Sequence, residues 1–202
     1  VIINGYNLHK EKENLKGVIG YVPQDDLLIE ELTVFQNLYF GAKLCFRHKT
    51  EKEIVDLVDE TLKDFDLNEA RNLKVGNPLN KFISGGQRKR LNIAMELMRE
   101  PAILFVDEPT SGLSSFDSER IILMLKRQTF KGKLVIANVH QPSSDVYKLF
   151  DKLVVMDQGG RVIYQGNPMD AVVYFKYEGQ YLKAEESECQ CCGNVNTEQI
   201  LR

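Results

Sequence analysis

Short apolar runs alternate with helical stripes along the chain. Residues 1–3, 18–22, 103–106, 134–137 and 153–156 are apolar or β-branched on nearly every position. Such runs predict strands of a parallel sheet covered on both faces. Between them lie three capping boxes, each expected to open a helix. Thr33-Val34-Phe35-Gln36 leads into an apolar-rich helix that ends before Arg47. Thr50-Glu51-Lys52-Glu53 opens a helix with Ile54, Leu57, Val58, Thr61, Leu62 and Phe65 on one stripe. Ser84-Gly85-Gly86-Gln87 has the same form, followed by Leu91, Ala94, Met95 and Met98 at helical spacings. Helices are also expected over 116–128, 144–150 and 168–177, the last with Asn167 as cap and Pro168 at its first position. Gln158-Gly159-Gly160 predicts a hairpin turn joining 153–156 to 161–164. The order is α/β, with a helical block from about 33 to 70 inserted after the second strand.

Composition narrows the class. The chain has 202 residues, 43% hydrophobic and 27% charged, the balance of one soluble globular domain with a tail. Its net charge of −3 argues against a basic nucleic-acid-binding surface, so no nucleic-acid partner is expected. No apolar run approaches a membrane span, and no secretory signal opens the chain. The chain starts at Val1 inside an apparent strand, as a segment cut from a longer protein would. Its four cysteines, Cys45 and the group Cys189, Cys191 and Cys192, suit a reducing compartment better than a disulfide framework.

Two stretches carry phosphate chemistry. The apolar run 102–106 ends in Asp107 and Glu108, where strand ends face the ligand crevice of an open α/β sheet. One acid there suits Mg²⁺ beside phosphates, and the next suits accepting a proton from an attacking water. An ordinary strand followed by a solvated acidic turn explains those two residues equally well. Ser84-Gly85-Gly86-Gln87 offers glycines and a helix N-terminus to an anion. A plain serine cap is the simpler explanation of that loop on its own.

Together the motifs say more. Phe82 through Leu91, then Ile103 through Leu113 with Asp107-Glu108-Pro109, then His140-Gln141-Pro142, and upstream Gly20 through Asp26 with Gln24, stand in one order. That set resembles the ATP-binding cassette of ABC transporters. Val75-Gly76, the run Ser84 through Arg90, and His140-Gln141-Pro142-Ser143 followed by Leu149-Phe150-Asp151 are most similar to the White (G) subfamily of exporters. The resemblance covers about residues 1 to 178. It implies an α/β, P-loop NTPase-like, mostly parallel sheet. A helical subdomain over about 30–98 would follow the glutamine loop, and a polar cysteine-containing tail would span 179–202.

The resemblance also implies site roles. Gln24 would sense Mg²⁺ and the γ-phosphate. Ser84, Gly85, Gly86 and Gln87 would contact the nucleotide held by a facing cassette. Asp107 would position Mg²⁺, Glu108 would act as base, and His140 would hold the γ-phosphate and the attacking water. ATP and Mg²⁺ are the implied cofactors. A second cassette in a head-to-tail dimer and a transmembrane domain are the implied partners, at the cytoplasmic face of a membrane. The alternatives are a non-transport ABC-type ATPase clamp and a degenerate nucleotide-binding module.

Two departures bear on activity. The chain holds no G-x-x-x-x-G-K-[ST] phosphate loop (Walker A), so it is expected to bind ATP very weakly alone and not to hydrolyse it. Loss of the family's central strand with that loop would expose a sheet edge to self-association. Ser114 also stands where the family has an acid, with Asp117 one helical turn later. Arg88-Lys89-Arg90 reads by default as a solvated face. The aromatic residues Phe35, Tyr39, Phe40 and Phe46 read as core, with docking of a membrane subunit as an equal option for part of that surface. Cys189 and Cys192 have the form of one zinc knuckle, although free thiols in a flexible tail are the simpler expectation.

Overall fold

A computed structural model describes residues 2–3, 5–7, 10, 17–77, 80, 82–157, 159–180 and 185–197. Strands β1 (Ile2–Ile3) and β2 (Tyr6–Asn7) form a small antiparallel pair. Val1, expected at the head of the first strand, lies outside the described residues. The main sheet holds β3 (Ile19–Val22), β4 (Ile103–Asp107) and β5 (Leu134–Asn138), parallel and in that order. Tyr21, Phe105 and Ile136 share one register row, and Val22, Val106 and Ala137 share the next.

Between β3 and β4 run α1 (Val34–Cys45), α2 (Glu51–Asp64) and α3 (Gly85–Leu97). Each starts where a capping box was read. Thr33, Thr50 and Ser84 accept from the third helical N–H, and Gln36, Glu53 and Gln87 reach back to the cap backbone. Helix α4 (Ser115–Phe130) joins β4 to β5. After β5 come α5 (Ser144–Tyr147), the antiparallel pair β6 (Leu153–Met156) and β7 (Val162–Gly166), and α6 (Pro168–Glu178). The helix expected over 144–150 is shorter than its apolar spacing suggested. Leu149 and Phe150 continue it as tighter i→i+3 turns. Gln158 of the expected hairpin turn lies outside the described residues, while Gly160 takes the positive φ that such a turn requires.

The core lies between one sheet face and the helices. Val22, Leu104 and Val106 meet Leu91, Ile93, Ala94, Ile121 and Leu125 there, with Val34, Leu38, Ile54, Val58 and Leu62 extending it through α1 and α2. The opposite face is open among the described residues. Tyr21 is 55% exposed and Ile136 44%, with Phe105 and Leu134 also exposed. This corrects the expectation of strands covered on both faces. Consecutive apolar residues make both faces of a strand apolar; they do not show that a second layer covers the far face. β5 also ends its sheet: among the described residues, no strand pairs with its outer edge. No described helix is long and apolar enough to cross a membrane.

Candidate functional site

The three parallel strands end side by side, and the polar residues collect at their carboxyl ends, the ligand-facing side of an open α/β sheet. Gln24 follows β3, Asp107 closes β4 with Glu108 next, and Asn138 closes β5 with His140 two residues on. Gln24 Nε2 donates to Glu108 Oε2 at 2.9 Å. Asn138 Nδ2 donates to Asp107 Oδ1 at 3.1 Å, and the Tyr21 hydroxyl lies 3.4 Å from Asp107 Oδ2. The Glu108 N–H donates to the Asn138 carbonyl at 3.0 Å, tying the acid's backbone to the next strand.

Backbone strain marks the same place. Asp66, Glu100 and Gln180 have positive φ just beyond the ends of α2, α3 and α6, where such conformations are routine. Glu108 (φ 40) and Gln141 (φ 45) have it at strand ends, with no helix to cap. Strain of order 1–3 kcal/mol per residue persists where surrounding contacts impose it, typically at functional sites. His140, beside Gln141, is exposed and lines a cavity of about 260 Å³ with Thr110, Leu113, Ser118 and Ser143. The structure therefore joins Gln24 to Glu108 directly. It places His140 at the same sheet end, but no described hydrogen bond joins it to Glu108.

Helix α3 presents its first turn beside this end. Ser84 and Gly85 are exposed, and the leading N–H groups of the helix have no intrahelical acceptor. Gln87 is spent on the capping box, its Oε1 accepting from Ser84 N–H at 2.8 Å. Gly86 has no room for a side chain, since a Cβ there would sit 2.5 Å from Asp117 Oδ1. Ser114 caps α4: its Oγ accepts from the Asp117 N–H at 3.1 Å and donates to Asp117 Oδ2 at 3.0 Å. Ser114 and Asp117 thus form one unit against the Ser84–Gly86 tip, with Arg90 3.7 Å from Asp117.

The basic triplet corrects its own default reading. Arg88, Lys89 and Arg90 are not a solvated face; Lys89 is 8% exposed and Arg90 4%. Arg88 binds Asp26 through Nε (2.5 Å) and Nη2 (3.0 Å), and donates from Nη1 to the Gly76 carbonyl at 2.6 Å. Lys89 Nζ donates to the carbonyls of Gln24 (2.9 Å) and Pro23 (3.3 Å). Arg90 Nε donates to the Phe65 carbonyl at 3.0 Å. The cations sit at a helix start, against the dipole, because loop carbonyls and carboxylates surround them. Burial pulls the Lys89 ammonium below its ordinary pKa, while Asp26, Asp107, Asp25 and Glu108 pull it back up. Sequence reasoning missed Asp26, Arg88, Lys89, Asn138 and Tyr21 as members of the site. The motif spacing held no signal for contacts this far apart in the chain.

Mg²⁺ fits this donor set. The ion takes hard oxygens, keeps several waters, and is held by one or two carboxylates plus substrate phosphates, not by an all-protein cage. Asp107, Glu108 and the Gln24 amide supply such oxygens, and no described group of three or more His, Cys, Asp or Glu forms a cage.

Phe35 and Tyr39 are half-buried against the core and stacked, with centroids 5.7 Å apart, and Phe46 also packs there. Phe40 is exposed. The described part of the tail is seated on the body. Val195 is buried with Tyr147, Ala171 and Val172, its N–H donating to Ser144 Oγ at 2.9 Å.

Comparison with known proteins gives the family. The family profile described as ABC transporter covers residues 1–111. Protein white of Drosophila melanogaster is 39% identical over 197 residues, 96% of this chain and 27% of its own length. The broad substrate specificity ATP-binding cassette transporter ABCG2 of Bos taurus is 39% identical over 176 residues, 87% of this chain and 26% of its own. The chain thus spans about a quarter of the curated relatives it matches. CbiO1 of Clostridium perfringens, described as part of the ABC transporter complex cbiONQ, superposes with a TM-score of 0.71 at 31% identity, covering 88% of this chain and 68% of that one. The strand-end acids, the capped Ser-Gly-Gly helix tip and these relatives agree: the chain belongs to the ABC transporter family, in the likeness of the White (G) group's ATP-binding domain.

Proposed function

We propose that this chain, over residues 1–178, is the ATP-hydrolysing unit that energises export across a membrane from the cytoplasmic face. The Gln24–Glu108 hydrogen bond carries this reading. It fixes a carboxylate at the crevice end of parallel strands, on a backbone already forced to positive φ. Phosphoryl transfer asks for positioning and charge stabilisation more than for covalent chemistry. Glu108 takes the proton of the attacking water. Gln24 donates to that carboxylate and so couples the base to the loop after β3, where Lys89 grips the main chain. His140 holds a γ-phosphate oxygen. Asp107 and Gln24 would hold Mg²⁺, which when bound neutralises charge on the β- and γ-phosphate oxygens. Ser84, Gly85 and Gly86 offer N–H groups to the nucleotide of a second cassette packed head to tail, with Gln87 bracing their cap. A transmembrane domain completes the machine, and the exposed Phe40 side of α1 is the surface offered to it.

The test is ATP turnover by a polypeptide carrying this segment together with a phosphate loop. The expected result is hydrolysis by the wild-type sequence and a loss of about 100-fold or more in His140→Ala and in Ser84→Arg. A wild type that binds ATP and never splits it contradicts the proposal. The 202 residues alone are expected to show weak ATP binding and no turnover.

A further inference from the structure

Residues 188–195 carry chemistry that nucleotide hydrolysis does not use. The chain turns tightly here. Gly193 N–H donates to the Cys189 carbonyl at 2.7 Å, and Cys189 N–H donates to the Asn194 carbonyl at 2.8 Å. Gly193 takes φ 70, which closes the turn. Cys189 and Cys192 stand three positions apart within this one turn. Hydrogen bonding from the backbone of Cys192 and Cys191, and from both of their side chains, favours the charged form of the Cys189 thiol. These donors lower the Cys189 thiol below its ordinary pKa.

The turn is held by the body of the protein. Lys148 Nζ donates to the Gly193 carbonyl at 2.5 Å and pairs with Glu188 at 2.6 Å. Buried Val195 and the Thr197 hydroxyl, which donates to the Pro142 carbonyl at 3.0 Å, pin the segment that follows beside the His140 turn. All four cysteines are free and exposed. A structural zinc would need four ligands, and no described group of three His, Cys, Asp or Glu is placed to hold a metal.

We propose that Cys189 and Cys192 form a dithiol pair that closes to an intramolecular disulfide by exchange with a small-molecule disulfide, Cys189 attacking first. The Cys189 thiolate attacks one sulfur of the oxidant, forms a mixed disulfide and expels one thiolate. Cys192 releases its proton to solvent, and its sulfur attacks Cys189 Sγ and displaces the second thiolate. Two protein thiols are oxidised, and one small-molecule disulfide is reduced to two thiols. Cys191 lies between the pair and also acts on the Cys189 thiol; the second attack is assigned to Cys192.

The test equilibrates the freshly reduced chain in glutathione buffers of rising oxidation. Samples are quenched with acid and alkylated, and the linkages are mapped by mass spectrometry. The expected product is a Cys189–Cys192 disulfide. Cys192→Ser loses it and accumulates glutathione on Cys189, whereas Cys189→Ser is glutathionylated at Cys192 more slowly. In the reduced chain, Cys189 is alkylated by iodoacetamide faster than exposed Cys45. The proposal is overturned if Cys189 and Cys192 stay alkylatable at every buffer composition. It is overturned equally if the bond forms between chains or through Cys191, if Cys192 reacts as fast as Cys189 in the paired variants, or if the untreated protein carries zinc on these two residues.

Discussion

Arg88 ties together segments far apart in the chain. It binds Asp26 after β3 and the Gly76 carbonyl before α3, on the helix whose tip is Ser84. The pair is mostly buried, so removing one partner strands a charge. Arg88→Ala is expected to cost about 2 kcal/mol of unfolding free energy in a denaturant titration, scaled down from fully buried pairs because some solvent reaches this one. Arg88→Lys recovers only part, since an ammonium cannot bind the carboxylate and the carbonyl in fork geometry. Gly86→Ala forces a methyl group towards Asp117 and is expected to cost about 1–3 kcal/mol. A double-mutant cycle with Asp117→Ser shows the clash as coupling between the sites; additivity would contradict it. At this scale the sequence singled out Gln24, Asp107, Glu108 and Ser84 as candidates, because short motifs carry them, and the structure gathers Gln24, Asp107 and Glu108 at the strand ends. It concealed Arg88 and Lys89, because a basic triplet looks alike in solvent and against loop carbonyls.

The helix starts were the most legible elements. Thr33, Thr50 and Ser84 each announce a helix through a local pattern that needs no tertiary contact. Thr50→Ala removes the acceptor for the Glu53 N–H and is expected to cost about 1 kcal/mol by thermal or denaturant unfolding. The cap also carries a pH signature. The Thr50 backbone N–H, and then its hydroxyl, hold the Glu53 carboxyl below its ordinary value of 4.5. That contribution is present above the unfolded pKa and is lost as pH falls through the folded one. Between neutrality and pH about 5, wild type is expected to keep a constant margin over Glu53→Gln, and to lose it on further acidification. A margin independent of pH would contradict this origin. Helix α5 was less legible. Its apolar spacing continues to Phe150, but the chain narrows into i→i+3 turns after Tyr147 as it heads for β6.

At the scale of the whole molecule, the sheet presents an apolar face. Tyr21, Phe105, Leu134 and Ile136 line it without a covering layer among the described residues. Exposed apolar surface of that kind marks an interaction site or an aggregation liability. The 202-residue chain is expected to self-associate with concentration in sedimentation, and Ile136→Lys to return it towards monomer. A wild type monomeric throughout would contradict this. The sequence disclosed the strands and their order but not which faces are covered, since layer assignment depends on residues far away in the chain. The central claim remains the base at the end of β4. Its most direct measurement is the nucleotide recovered from the Glu108→Gln variant, in a polypeptide that also has a phosphate loop, after incubation with ATP. The account predicts intact ATP held by the protein. ADP formed at the wild-type rate would contradict it.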